Sequence, residues 1–206
     1  HLEQESRPKY SPTMKPSRPY TRSNPTAEPI TSPPTPAIKT VLINAITWNM
    51  NKRKSISSPF LLSPNKPPDI IALQEPSSAI TDQSTPIHAE FLSNAKHHGY
   101  IAHVAKHTIT LFNIHSLSPF YTNTLTPIDD GRIQTHIFTT RPQTHLAILN
   151  IYAYQKGHQT YHASSSTLLT TLATHFKKLH SLYPNLQIIA LGDLNVDPTQ
   201  TPPPPN

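Results

Sequence analysis

Three short hydrophobic stretches of the chain each end on an amide or a carboxylate. Ile46-Thr47-Trp48 runs into Asn49, Ile70-Ile71-Ala72-Leu73-Gln74 into Glu75, and Ile188-Ile189-Ala190-Leu191 into Gly192-Asp193-Leu194-Asn195. Polar groups at the ends of buried strands can converge at one edge of a sheet. Carboxylate and amide oxygens there suit a hard cation such as Mg²⁺, which keeps several of its waters and whose usual substrates are phosphate esters. Taken singly, Glu75 and Asp193 could do no more than open a solvated turn; together and in this order they are more specific.

The elements that must position these groups are legible in the same residues. Residues 41–48 are rich in β-branched side chains and predict a strand, and 69–74 form a continuous apolar run of the kind buried on both faces of a sheet. A helix is expected over 87–98, strands over 100–106, 109–112, 133–139 and 145–152, and a final buried strand over 187–191. Between 165 and 182, Leu168, Leu169, Leu172, Phe176, Leu179 and Leu182 recur near a period of 3.6, and Pro184 stops the helix they define. Strands and helices alternate, with antiparallel-looking clusters between them, so the expected class is α/β with a mixed sheet or paired sheets and helices outside.

Composition narrows the partners. With 17 Lys+Arg against 11 Asp+Glu the chain carries +6, a mild basic excess that favours a polyanion without identifying one. The absence of cysteine excludes disulfides and thiolate metal sites, leaving oxygen or imidazole ligands, and leans toward a reducing, intracellular compartment. Apolar runs of four residues are far short of the ~20 that a membrane helix needs. Residues 1–38 are dense in Pro, Ser and Thr and read as a disordered tail or linker; 39–198 read as the folded domain, and 199–206 as a Pro-rich end. The first residues have neither an initiator Met nor a signal peptide, so the chain reads as beginning mid-protein, and as C-terminally truncated where it ends on Pro-rich residues straight after a strand.

Thr47-Trp48-Asn49, Leu73-Gln74-Glu75, Gly131-Arg132, Asn150-Ile151-Tyr152-Ala153 and Gly192-Asp193-Leu194-Asn195, in that order over residues 40–197, resemble the endonuclease/exonuclease/phosphatase superfamily, and within it the apurinic-like endonucleases of non-LTR retrotransposons. The resemblance implies a four-layer α/β sandwich: two facing mixed β-sheets flanked by helices, with the motif residues meeting at one rim. It implies one divalent ion, Mg²⁺ or Mn²⁺, held by Glu75 and Asn49, and substrate contacts from Asn49 and Arg132. Asp193 would orient or deprotonate the attacking water, Asn195 would hold the scissile phosphate or the metal, and the Tyr152 hydroxyl would donate to the phosphate. A surface role for Arg132 and a half-buried core role for Tyr152 are the plain alternatives.

The implied function is metal-dependent hydrolysis of DNA or another phosphodiester by a monomer with no membrane association, as the endonuclease domain of a retroelement-type protein. A nuclear location would suit such an enzyme. Lys52, Arg53 and Lys54 could follow a nucleic-acid backbone. Phosphatases and phospholipid phosphodiesterases of the same superfamily are the nearest rivals. The family continues past Gly-Asp-x-Asn to a Ser-Asp pair and a final Asp-His, and residues 196–206 supply neither pair. The expected catalytic set is therefore incomplete and the chain inactive as it stands; a catalytically dead remnant with residual nucleic-acid affinity is the rival reading. His97, His98, His103 and His107 form a local cluster, but with 13 histidines in the chain they read as compositional bias rather than as a metal or catalytic site.

Overall fold

The computed structural model describes residues 42–55, 67–155 and 161–195, with side chains of the last stretch from 166 onward. The tail expected over 1–38, residue 41 at the start of the first strand, and the Pro-rich end at 199–206 lie outside the described residues. The elements run β1 (Ala45–Asn49), β2 (Ile70–Gln74), α1 (Ser78–Thr81), α2 (Pro86–His97), β3 (Tyr100–Val104), β4 (Thr108–Asn113), α3 (Ile114–Leu117), a 3₁₀ turn (Ser118–Phe120), β5 (Tyr121–Ile128), β6 (Ile133–Arg141), β7 (Thr144–Tyr152), α4 (Tyr161–Leu182) and β8 (Leu186–Asp193).

The strands form two mixed four-stranded sheets, ordered β1-β2-β4-β3 and β5-β6-β7-β8. β1 lies parallel to β2 and β7 parallel to β8, and the other pairs are antiparallel. On the outer face of the first sheet, Ile71, Leu73, Ile109 and Leu111 pack with Ile80, Phe91 and Ala95 of α1 and α2. On the outer face of the second, Ile133, Ile137, Ala147, Leu149 and Ile151 pack with Leu168, Leu172 and Leu179 of α4. The remaining core lies between the sheets, where Ile70, Phe112, Leu117, Phe138, Leu146 and Ile148 meet. The result is the expected four-layer sandwich of two mixed sheets between helices.

The sequence reading missed β5 and the short helices α1 and α3. β5, Tyr-Thr-Asn-Thr-Leu-Thr-Pro-Ile, lacks an apolar alternation and contains Pro127; it is an edge strand with two register shifts, the one place in a sheet where Pro is tolerated. α1 and α3 are single turns capped by Ser77 and Asn113, too short to show a helical period.

Period-two alternation gives the interior between the sheets a direction. Going along the inward-facing rows, Ala45 leads to Thr47 and Asn49, Ile70 and Ala72 to Gln74, and Ile148 to Asn150 and Tyr152. Ile189 and Leu191 lead likewise to Asp193, while in the opposite chain direction Phe112 leads to Thr110 and Phe138 to His136 and Gln134. One end of the layer is apolar; the other is polar and carries the ends of β1, β2, β7 and β8.

Midway sits a pair of imidazoles. His136 of β6 is fully buried, its ring 4.9 Å from that of His103 on β3, and Thr124 Oγ1 lies 2.7 Å from Nδ1 of His136 and 3.3 Å from Nδ1 of His103. Nε2 of each ring is buried without a hydrogen-bond partner. Burial lowers the pKa of both, that of His136 strongly, with the neighbouring His103 adding to the effect. The unfolded chain therefore binds more protons than the folded one below the ordinary histidine value of 6.5. Stability should be constant above that pH and fall as the pH drops below it. Thermal unfolding between pH 7.5 and 5 is expected to show this decline, and His136→Gln to flatten it; an unchanged slope in the variant would place the sensitivity elsewhere.

Candidate active site at the polar rim

Asp193 and Tyr152 are paired neighbours at the ends of β8 and β7, and Asn49 ends β1 opposite Gln74 of β2. Asn49 Nδ2 donates to Asp193 Oδ2 at 2.9 Å, joining the two sheets across 144 residues of sequence. The other carboxylate oxygen, Oδ1, accepts the backbone N–H of Asn195 at 3.0 Å, and Asn195 Nδ2 donates to the carbonyl of Ala153 at 2.7 Å. Asp193 is thus held by one hydrogen bond on each oxygen. Asn49 Oδ1 caps the following turn by accepting from the N–H of Asn51 at 2.8 Å.

Glu75 is held by its backbone on both sides. Its N–H donates to the carbonyl of His107 at 3.0 Å and its own carbonyl accepts from the N–H of Lys52 at 2.8 Å. Gln155 Nε2 bridges the carboxylate and the Tyr152 hydroxyl, donating at 3.4 Å to Glu75 Oε2 and at 3.1 Å to the hydroxyl. Burial first, then the negative charge of Glu75, push the Tyr152 hydroxyl up to about 12, against the opposing pull of Arg132. Tyr152 is therefore a protonated donor across the whole working pH range. Arg132 donates from Nη1 to the carbonyl of Tyr152 at 3.2 Å, with its guanidinium 3.9 Å from the centre of the Tyr154 ring and 5.1 Å from that of Tyr152. It props the tyrosine from behind while remaining part of the cleft wall.

Glu75, Arg132 and Tyr152 line a cleft of about 590 Å³ with Lys52, Ser78, Asp82, Lys106 and His107 among its other walls. The structure thus brings all six expected residues to one rim: three line this cleft, and Asn49, Asp193 and Asn195 form the hydrogen-bonded group alongside it. Sequence reading set His107 aside as compositional bias and did not single out Lys106, Tyr154 or Gln155. Nothing in residue type alone singles out a glutamine such as Gln155, three residues beyond Tyr152.

The donor set fits one hard divalent cation: a carboxylate at Glu75 and an amide oxygen at Asn49, with no thiolate in the chain. Among the described residues no three His, Asp or Glu side chains converge as a closed cage. Mg²⁺ suits such an open site, because it is commonly bound by one or two carboxylates and completed by water and substrate phosphate.

Backbone strain concentrates here. Of the described non-glycine residues with positive φ, all but Gln143 and Asn185 sit at this rim: Asn51, Lys52, Glu75, Asp129, Asp130 and Asn195. Glu75 has φ 52° and Asn195 φ 49°. Gly192, at φ 137°, has the tightest requirement, since a Cβ there would stand 1.9 Å from the carbonyl oxygen of Ile151. Glycine before Asp193 is what lets β8 close on β7.

Two consequences are measurable. Gly192→Ala should cost about 3 kcal/mol or more in chemical denaturation, because the clash is with backbone that cannot move aside; a cost below about 1 kcal/mol would mean that β8 can shift freely. Glu75→Gly removes a left-handed penalty of about 1 kcal/mol. Its folding stability should therefore not fall in chemical denaturation, and a clear loss of stability would give the Glu75 side chain a structural role.

No protein-family model and no curated protein sequence matches the chain. Solved structures do. TDP2 from C. elegans superposes with a TM-score of 0.51 at 15% identity, over 80% of this chain and 51% of that one. AP endonuclease LMAP from Leishmania major gives 0.53 at 18%, over 75% and 55%. The 3′ phosphatase NExo from Neisseria, bound to a product DNA hairpin, gives 0.50 at 15%, over 77% and 60%. At this identity the likeness establishes the fold, the two-sheet α/β sandwich described above, and the chain spans about half the length of these proteins.

Proposed function

We propose that this rim is the active centre of a divalent-metal-dependent phosphodiesterase, acting on DNA as a monomeric endonuclease of the retroelement type. The observation that carries the reading is the meeting of Glu75, Tyr152, Asp193, Asn49 and Asn195 at one edge, from strand ends scattered over the chain. It is supported by the order of the sequence motifs and by the fold, which the chain shares with proteins named as an AP endonuclease and a DNA-bound 3′ phosphatase.

Asp193, with each oxygen already holding one hydrogen bond, keeps lone pairs free to accept a proton from an attacking water. Tyr152, kept protonated by burial and by Glu75, donates to a phosphoryl oxygen as charge develops on it, an interaction typically worth roughly 100-fold in rate. Glu75 and Asn49 are the residues that would hold the ion; when bound, Mg²⁺ neutralises charge on the phosphate and its leaving group. Arg132 fixes the tyrosine ring by stacking and by its bond to the Tyr152 carbonyl. Lys52 lies at the cleft where a phosphate backbone would pass.

The test is nicking of supercoiled plasmid by the full-length protein in Mg²⁺ or Mn²⁺. Chelation should abolish nicking, and Glu75→Ala and Asp193→Ala should each reduce it by roughly 100-fold or more. Folded wild-type protein without nicking would support the non-catalytic reading, and nicking that survives both substitutions would move the active centre away from this rim.

A further inference from the structure

The cleft has a second wall that no motif marks. The turn between β5 and β6 places three successive residues at positive φ, Asp129 at 51°, Asp130 at 54° and Gly131 at 82°. This doubles the hairpin tip back against the segment joining β3 to β4. Gly131 sits so close that a Cβ would lie 2.9 Å from the backbone nitrogen of Lys106. Thr108 Oγ1 donates to the Gly131 carbonyl at 2.9 Å, and the Asp130 carboxylate bonds to Lys106 Nζ and stands 3.5 Å from Nε2 of His107. His107 is otherwise sheltered: its side chain is 26% exposed, its ring centre is 6.3 Å from that of Tyr152, and its carbonyl accepts the Glu75 N–H. Lys106 and His107 both line the cleft that holds Glu75 and Arg132.

Asp and Gly are residues that accept the left-handed backbone this hairpin turn needs, and the turn closes through the N–H groups of Gly131 and Arg132 onto the carbonyls of Ile128 and Asp129. Here it brings one carboxylate onto two cationic or potentially cationic side chains beside the reactive rim. Resting on the phosphodiesterase reading above, we propose that Lys106 and His107 form the wall that contacts the substrate phosphate backbone, and that Asp130 is the positioning residue that holds this wall against Glu75. The ligand class is a nucleic-acid strand, because the cleft is open and offers Lys52, Lys106 and Arg132 along its length rather than a closed pocket for one phosphate.

Asp130→Asn separates positioning from plain charge, since asparagine tolerates the left-handed backbone and removes only the ionic clamp. A carboxylate that merely repels DNA would, on removal, give tighter binding and equal or faster cleavage. A positioning residue predicts a split: DNA binding, by fluorescence anisotropy with a short duplex, unchanged or tighter, and single-turnover cleavage slowed roughly tenfold. Amide hydrogen exchange over residues 105–108 should accelerate in the same variant. Lys106→Met, which removes the clamp from the other side, should also speed exchange there but weaken DNA binding. Unchanged exchange in both variants, cleavage by Asp130→Asn that is as fast as wild type, or undiminished DNA binding by Lys106→Met would each overturn the proposal. Accelerated exchange together with a wild-type protein that neither binds nor cleaves DNA would instead sink the phosphodiesterase reading, and with it the wall's role, leaving only the clamp.

Discussion

The rim depends on one buried hydrogen bond between the sheets. Gln74 Nε2, at the end of β2, donates to Asn150 Oδ1 in β7 at 2.8 Å, and both side chains are fully buried. The Asn150 amide then reaches the carbonyls of Leu73 and Ile109 and the hydroxyl of Thr110, which donates to Gln134 Oε1 at 2.7 Å; Thr47 closes the set by donating to Gln74 Oε1 at 3.1 Å. Sheet-on-sheet contacts between apolar side chains have no preferred register, whereas a buried amide left without a partner costs about 1–3 kcal/mol. The network therefore fixes how the sheets slide on one another. Glu75 follows Gln74 directly and Tyr152 lies two residues past Asn150, so the same bond sets the distance between the carboxylate and the hydroxyl.

That dependence explains where the strain goes. The inward rows are apolar at one end of the sandwich, where contacts are non-directional, and polar at the other, where each group needs a specific partner. Left-handed residues accumulate at the polar end because strand ends alone would not aim Glu75 and Asn195 back over the layer. Gly192 belongs to the same requirement. Its missing side chain lets the backbone of β8 come against Ile151, and only then does the Asp193 carboxylate reach the Asn49 amide.

Much of this architecture was legible in the chain. Apolar runs identified the buried strands, the leucines at 168, 172 and 179 identified α4, and the polar residue closing each of three strands identified the rim. β5 was not legible, because its Thr and Asn side chains and Pro127 suit an edge strand whose pairing is decided by its neighbour rather than by its own pattern. Asn150 stood inside a recognised motif, yet its work is structural: type and spacing mark a residue as special without distinguishing a ligand from a brace. The pairing of His107 with Asp130 escaped for a different reason. They are 23 residues apart and meet only through a turn whose left-handed backbone a sequence of Asp-Asp-Gly permits but does not impose.

Histidine usage in this chain makes the same point about context. His103 and His107 are separated by one turn of chain and share a residue type, but one is half-buried between the sheets beside His136 and the other faces the cleft beside Tyr152. Burial lowers the pKa of both; only His107 has a carboxylate, Asp130, pulling the other way. Between the sheets a neutral ring serves as packing and an imidazolium would be expelled, so His103 and His136 can only weaken the fold as protons accumulate. At the cleft Asp130 offsets part of that effect, while burial and the Arg132 charge still hold the His107 pKa below its ordinary value. The division between structure and chemistry in this protein therefore follows the polarity gradient of the interior, and a histidine's place along that gradient, more than its neighbours in sequence, determines what it can do.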